Sequence, residues 1–189
     1  MTRALAPQVV SDKELIAGVA HGNLEALGGL FDRYESDIRR FIGRLGVGVG
    51  DVDDLVQTTF LEVIRAAPRF DAALPAKSWL FGLAVVLVRR HRRSLSRAAA
   101  RLFERARWPR PEAPPTPAAE FDKDQDLRRF QRAFAQLSAK KREVFTLVTL
   151  EGLSGEEVAH TLGIPVATVR TRLHHARQEL RASLEEPAS

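Results

Sequence analysis

The chain has 189 residues, of which 44% are hydrophobic and 28% charged, and this composition excludes a wholly disordered protein. Lysines and arginines number 29 against 24 aspartates and glutamates, so the net charge is +5, which favours a polyanionic partner. There is no cysteine, which excludes disulfides, thiolate metal sites and thiol nucleophiles.

The sequence shows no pattern of a metal site, a membrane span or a secretion signal. The five histidines lack metal-ligand spacing, and the longest apolar run, Trp79 to Val88, is about half as long as a membrane span. The N-terminal decapeptide lacks the long apolar stretch of a secretory signal. We therefore expect a cytoplasmic protein that spans no membrane and has no metal ion, cofactor or catalytic residue.

The first half of the chain has helical periodicity. Ser11 and Glu14 have the spacing of a capping box ahead of a first helix. Asn23 can cap a long second helix, in which apolar residues recur at three- and four-residue steps. The glycine-rich segment 46–50 ends that helix. Because no segment alternates with period two, we predict an all-α fold.

Two more helices are predicted before the middle of the chain. The third begins at Asp51 and ends at Pro68, with an apolar stripe along one side. The fourth runs from about Ser78 to past Arg93, where arginines are concentrated. Both helices belong to a first small domain.

A proline-rich segment divides the chain. Five prolines lie between Pro109 and Pro117, and proline removes backbone donors and disfavours helix in the preceding residue. We therefore interpret residues 98–124 as a flexible linker between two small helical domains, 1–97 and 125–189.

The second domain contains the sharpest local pattern. Ser154 and Glu157 form another capping box ahead of a short helix. Gly163-Ile164-Pro165 then supplies a tight turn, and a second helix begins at Val166. Two helices joined in this way are typical of a helix-turn-helix, whose second helix enters the major groove of DNA.

The helix from Val166 has a cationic outward face. Its apolar stripe, Val169, Leu173, Ala176 and Leu180, is predicted to face inward. Arginine can bond guanine through two hydrogen bonds, and threonine or histidine can contact bases or phosphates. A solvated helix face is the structural alternative, but the preceding turn favours DNA binding. The candidate DNA contacts are Ala167, Thr168, Arg170, Thr171, Arg172, His174, His175 and Arg177.

A second cationic patch lies at the end of the fourth helix. Four arginines in five residues exceed what the dipole of a helix C-terminus requires, so a phosphate-tracking surface is favoured over simple helix stabilisation. Trp79, at the start of this helix, is either a stacking platform for an unpaired base or a core residue. The candidate nucleic-acid contacts are Lys77, Ser78, Trp79, Arg89, Arg90, Arg92 and Arg93.

The acids near the start of the third helix have two interpretations. A metal-dependent nuclease would need a second acidic cluster or a catalytic histidine pair, and the sequence has neither, so Asp51, Asp53 and Asp54 are interpreted as helix-terminus groups. A mixed polar face follows, which is either plain solvent surface or a docking surface for a partner helix. Its residues are Asp54, Gln57, Thr58, Leu61 and Glu62.

Together these segments resemble the extracytoplasmic-function (ECF) sigma factors of bacterial RNA polymerase. The family's region two is similar to DVDDLVQTTFLEVIRAAPRF and AKSWLFGLAVVLVRRHRR, and its region 2.1 to LFDRYESDIRRFIGRLG. Its region four is similar to LSAKKREVFTLVTLEGLSGEEVAHTLGIPVATVRTRLHHARQEL. The resemblance covers roughly residues 11–96 and 126–185, and the two motifs in this order are highly specific together.

The resemblance implies an alternative sigma factor, which binds core RNA polymerase and directs promoter-specific initiation without an active site of its own. The fourth helix and the loop before it would recognise and help to melt the −10 element, and the helix from Val166 would read the −35 element. The linker would run toward the RNA exit path, and an anti-sigma factor is expected as a further partner. The residues implied to dock on the polymerase clamp are Asp53, Asp54, Gln57, Thr58, Leu61 and Glu62.

The alternative is a stand-alone helix-turn-helix transcription regulator that acts without joining the polymerase. The second domain would be the same in both cases, so the first domain discriminates between them. A regulator has no reason to carry DDLVQTTF followed by a tryptophan loop and an arginine-rich helix. We therefore favour the sigma factor.

Overall fold

Eight α-helices make up most of the described chain, which the computed structural model covers over residues 10–106 and 125–185. The first stretch contains α1 (Asp12–Ala20), α2 (Leu24–Arg44), α3 (Val49–Ala66), a 3-10 turn (Ala67–Arg69) and α4 (Ala76–Ala106). The second contains α5 (Gln125–Gln136), α6 (Ala139–Phe145), a π-type turn (Thr146–Leu150), α7 (Gly155–Leu162) and α8 (Val166–Glu185). Neither stretch contains a strand, which confirms the predicted all-α fold.

Polar side chains cap the helices at the predicted positions. The Glu14 N–H donates to the Ser11 hydroxyl at 3.3 Å, and the Ser11 N–H donates to the Glu14 carboxylate at 2.7 Å. The Ser11 hydroxyl also donates to the Glu14 carboxylate, at 2.7 Å. The bond from the Ser11 backbone N–H and, second to it, the bond from the Ser11 hydroxyl hold the pKa of Glu14 below its usual range. Ser154 and Glu157 form the same reciprocal box, and the Asn23 side chain caps α2. Because such caps satisfy amides that lack partners inside the helix, they fix where α1, α2 and α7 begin.

The start of α3 differs from the prediction. Gly46 alone makes the turn after α2, with a φ of +80°, and Gly48 occupies the N-cap position. The helix therefore begins at Val49, and Asp51 lies in its first turn instead of capping it.

The end of α4 also differs. The helix extends to Ala106 and so includes the first nine residues of the segment 98–124 that was predicted to be a linker. That part reads AAARLFERA, which is rich in strong helix formers, and the first proline comes only at Pro109. Residues 107–124 lie outside the described part of the chain.

A large hydrophobic core joins α1 to α4 and continues into the second stretch. Phe41 of α2 stacks on Phe81 of α4 with ring centroids 4.4 Å apart, and both rings are completely buried. Val158 and Leu162 of α7 belong to the same core, because α7 packs on α4. Apolar burial of this kind is the main favourable term in folding. Helix α4 is therefore the layer on which both parts of the chain pack.

A smaller core organises α5, α6 and α8. The rings of Phe130, Phe134 and Phe145 lie 5.7 to 6.4 Å from one another, within the range of favourable aromatic pairs. Ala176 and Leu180 of α8 pack against them. This core holds α8 from one side and leaves its opposite face exposed.

Candidate nucleic-acid interface

The turn between α7 and α8 has the geometry of a helix-turn-helix. α7 ends at Leu162 and is capped by Gly163, whose φ of +63° lies in the left-handed region that glycine adopts without a steric cost. The Ile164 N–H then donates to the Ala159 carbonyl at 3.0 Å and closes the turn. The inward side of α8 agrees with the prediction: Val169, Ala176 and Leu180 are buried and Leu173 is half-buried.

The outward face of α8 presents cations to solvent. Among the described residues, Arg170, Arg172 and Arg177 form no ion pair, so their guanidinium groups remain available to an external anion. Arginine offers a fork of donors that suits both phosphate and guanine. Of the eight candidates, Thr168 and Arg172 are half-buried, and the others, Ala167, Arg170, Thr171, His174, His175 and Arg177, are exposed.

The arginine cluster of α4 is divided between two sides of the helix. Arg90 and Arg93 are exposed, as a phosphate-tracking surface requires. Arg89 instead donates two hydrogen bonds to Glu143 of α6, Nε to Oε1 at 3.1 Å and Nη2 to Oε2 at 2.6 Å. Arg92 donates to a backbone carbonyl at the end of α2. Because residues three apart share a helix side, Arg89 and Arg92 turn inward together.

The residues that open α4 are also unequally placed. Ser78 is buried, at 4% exposure, and so offers its side chain to no external partner. Lys77 lies between two carboxylates, 3.3 Å from Asp37 and 3.5 Å from Glu151. Trp79 is half-buried against Phe70, with ring centroids 4.9 Å apart. The packing against Phe70 agrees with the core interpretation for this side of the ring, and base stacking stays a prediction.

Trp79 also lines a crevice of about 200 Å³ between α4 and α7. Leu83 and Val86 of α4 form one wall, and His160 and Thr161 of α7 belong to the other. The walls are mainly apolar, which suits a flat ring or an aliphatic side chain more than a charged group.

The predicted docking face forms one exposed side of α3. Leu61 is 60% exposed, and it is surrounded along the helix by polar side chains. Asp53 forms an ion pair with Arg39 of α2, and Glu62 lies 3.5 Å from Arg65. Asp53, Asp54, Gln57, Thr58 and Leu61 are exposed, and Glu62 is half-buried. The opposite side of the helix packs into the large core.

Sequence reasoning missed two acids that contact the cationic helices. Glu143 is only 2% exposed and binds Arg89, and Glu151 lies 2.6 Å from Arg44. One signal was available, because Glu143 stands directly before an apolar run and a buried carboxylate requires a cationic partner. The identity of that partner, 54 residues away along the chain, has no local pattern.

The described residues contain neither a grouping of three or more histidines and carboxylates that could hold a metal ion nor a helix long and apolar enough to cross a membrane.

Comparisons with known proteins identify the family. The model described as Sigma-70 region 2 matches residues 30–103, and the model described as Sigma-70, region 4 matches residues 127–180. The ECF RNA polymerase sigma factor SigC of Mycobacterium tuberculosis is 35% identical over 185 residues, which cover 93% of this chain and 94% of that relative. The chain belongs to the ECF sigma factors. The resemblance predicted from the sequence is therefore confirmed.

Solved structures of other sigma factors share the fold. CnrH in complex with the cytosolic domain of CnrY matches with a TM-score of 0.67 and 30% identity, covering 94% of this sigma factor and 99% of that chain. RpoE in complex with the anti-sigma factor NepR, from Bartonella quintana, matches with a TM-score of 0.61 and 26% identity, covering 84% and 96%. CnrH of Cupriavidus metallidurans is also 31% identical over 182 residues.

The family decides between the two functions that the sequence left open. Region 2 and region 4 follow each other in the chain in the order expected of a sigma factor. The protein is therefore an alternative sigma factor that directs transcription initiation, and a stand-alone regulator is not favoured.

Proposed function

We propose that this sigma factor binds core RNA polymerase through α3 and reads promoter DNA with two separate surfaces, one on α4 and one on α8. The first unit comprises α1 to α4 and the second α5 to α8, joined by the chain between Ala106 and Gln125. No bond-making step belongs to this protein, because the polymerase supplies the catalysis. The site of action is the cytoplasm, where the polymerase meets the chromosome.

The −35 element is assigned to α8. The observation that carries this proposal is the exposed cationic face, free of ion pairs to described residues, directly after a helix-turn-helix turn. Arg170 and Arg177 can reach bases or phosphates without giving up an internal partner, so binding does not first cost an ion pair. The half-buried Arg172 and Thr168 border this face and suit contacts to the sugar-phosphate backbone of the DNA.

The −10 element is assigned to α4 and the loop before it. Arg90 and Arg93 are exposed and suit the phosphate backbone, whose binding is strongly salt-dependent. Trp79 opens onto the apolar crevice, and an unpaired base can stack on such a ring. Lys77, Arg89 and Arg92 complete the surface once their present contacts open, whereas the buried Ser78 supports it from beneath.

The polymerase contact is assigned to the exposed side of α3. A leucine that is largely exposed among acids and amides is typical of a helix that docks on another protein, since it adds apolar area to a polar rim. The residues are Asp53, Asp54, Gln57, Thr58, Leu61 and Glu62.

An anti-sigma factor is proposed as a further partner. CnrH and RpoE, which share this fold, were solved with the cytosolic domain of CnrY and with NepR. The exposed apolar side chains on α2 and α3, Leu24, Phe31, Leu61 and Ile64, supply apolar surface for such a protein.

The experiment that tests the proposal adds the purified chain to sigma-free core RNA polymerase and measures run-off transcription across a library of upstream regions. Transcripts that start at defined sites only when the chain is present are expected, and their upstream sequences give the promoter motif. Absence of initiation and of a stable complex with core, with duplex binding retained, would contradict the proposal and support a stand-alone regulator.

A further inference from the structure

Two adjacent histidines lie on the most outward part of α8. The middle of the buried stripe of this helix is given by Val169, Ala176 and Leu180. With about 100° between successive residues, His174 and His175 lie about 140° and about 120° from that middle. Both are exposed, and their ring centroids are 5.9 Å apart. Because the second helix of a helix-turn-helix enters the major groove, both rings are directed at the DNA.

The structure supplies no negative partner to either ring. Arg170 and Arg177 lie one helical turn from His174, and both are exposed. Glu179 lies one turn beyond His175, but its carboxylate pairs with a lysine of α6, Lys141. Among the described residues, neither histidine forms an ion pair. Any anion that meets these rings therefore comes from outside the described chain.

The charged groups of the helices packed against α8 are engaged elsewhere. Arg129 of α5 donates to a backbone carbonyl near the C-terminus of α8. Glu143 of α6 binds an arginine of α4. In α7, Glu157 is held in the capping box, Glu156 is exposed in the first turn, and His160 lines the crevice on α4. None of these groups forms a hydrogen bond or ion pair with the two histidines of α8.

DNA changes the charge around the two rings. A duplex carries one negative charge per about 1.7 Å of its axis, so binding brings phosphates to a face that has cations beside the histidines. Histidine is the side chain whose charge ordinarily changes between about pH 5 and 8. Its protonated form donates from both ring nitrogens, whereas the neutral form donates from one. The DNA-bound state of α8 is therefore the state that favours the protonated rings.

We propose that His174 and His175 couple recognition of the −35 element to protons: the protonated rings bind the DNA, and promoter affinity rises as the pH falls from 8 to 6. This inference rests on the proposed function. By linkage, the affinity changes by at most about tenfold per pH unit for each proton taken up. The arginines of α8 stay charged throughout this range, so the two histidines alone make its DNA-binding face sensitive to pH.

The affinity of the polymerase complex for promoter DNA tests the inference. Core polymerase with the purified chain is titrated with a promoter found by run-off transcription, at constant ionic strength and at several values between pH 6 and pH 8. Fluorescence anisotropy measures the dissociation constant. We expect binding to be about tenfold tighter at pH 6 than at pH 8. A promoter whose −35 block is scrambled should lose most of this gain.

Three variants assign the gain to the two rings. His174→Gln/His175→Gln keeps polar side chains but removes the titrating groups, so the gain at pH 6 should disappear. His174→Arg/His175→Arg is charged at every pH and should bind at pH 8 nearly as tightly as the unmodified chain binds at pH 6. The matched control is His21→Gln, at an exposed histidine that follows α1, and this variant should retain the gain.

The outcomes separate the inference from the proposed function. If the unmodified chain and the glutamine variant give parallel pH curves, the protons are taken up elsewhere in the complex and the inference is overturned. Tighter binding at pH 8 than at pH 6 would also overturn it, because the neutral rings would then be the binding form. If the unmodified chain and core polymerase form no promoter complex at any pH, the proposed function fails instead.

Discussion

Gly46 is constrained both by its backbone and by its neighbours. Its φ of +80° is a backbone conformation that is strained in any residue with a side chain. A Cβ at this position would also collide with the Arg142 guanidinium, which donates to the Leu45 carbonyl. We expect Gly46→Ala to lower the free energy of unfolding by about 1–2 kcal/mol, because it adds strain and displaces Arg142. Urea denaturation measures the change.

Gly43 is the matched control for this substitution. It lies near the end of α2 with open space around its Cα, so Gly43→Ala should raise the free energy of unfolding by about 0.5–1 kcal/mol. Changes of the same sign at the two glycines would contradict the account of Gly46.

Arg170 is the exposed arginine nearest the start of α8. Its loss should weaken promoter binding by the polymerase complex by about 1–3 kcal/mol if it makes a two-bond contact to a base. Arg181→Ala removes an exposed arginine of the same helix outside the proposed DNA set and serves as the control. Titration of promoter DNA measures the binding affinity of both variants. Equal losses of affinity would show that DNA binding depends on the positive charge of α8 and not on a specific contact by Arg170.

Helix α3 gives a prediction at the scale of an element. Asp54→Ala/Gln57→Ala removes two polar groups from the proposed docking side and leaves its buried side intact. We expect a lower affinity for core polymerase and a matching loss of transcription, with thermal stability nearly unchanged.

The control for α3 is Asp32→Ala/Gln131→Ala, an exposed acid and amide on α2 and α5. Fluorescence titration of core polymerase compares the two double variants. If the α3 variant binds core and transcribes like the unmodified chain, the docking assignment is wrong.

The capping box of α1 gives a prediction about pH. Because Ser11 lowers the pKa of Glu14, this carboxyl contributes stability above its ordinary pKa of 4.5 and loses it as the pH falls through the lower folded value. The Ser11 backbone N–H is the larger cause, so Ser11→Ala should raise the Glu14 pKa only part of the way toward 4.5. Titration of the carboxyl by NMR measures this, with Ser36→Ala as the control. A pKa that does not move would exclude the hydroxyl as a cause.

The sequence predicted the capping boxes of α1 and α7 because these are local features. Ser11 with Glu14 and Ser154 with Glu157 lie three residues apart, so their partners are visible in the printed sequence. The predicted linker begins at residue 98, before the C-terminal end of α4. Residues 98–106 are rich in arginine and alanine and stand next to the proline-rich segment, so composition alone assigns them to the linker.

The relation between the two units was not predictable in this way. The pair Arg89–Glu143 joins residues 54 apart, and Arg44–Glu151 joins residues 107 apart. No periodicity or capping pattern predicts such a pair, because the pair forms only when the second unit packs on α2 and α4. For the same reason the sequence does not indicate that Arg89 and Arg92 turn away from solvent while Arg90 and Arg93 do not.

At the scale of the whole molecule, one chain must contact the polymerase and two separated promoter elements. The division of labour between α3, α4 and α8 is therefore the central claim.

The most direct test maps the promoter complex on DNA found by run-off transcription. Core polymerase with the unmodified chain should protect two blocks about 25 base pairs apart and expose unpaired thymines to permanganate at the downstream block. Arg170→Ala should weaken upstream protection alone, and Trp79→Ala should reduce the permanganate signal alone. A single protected block, or loss of both signals in either variant, would contradict the account.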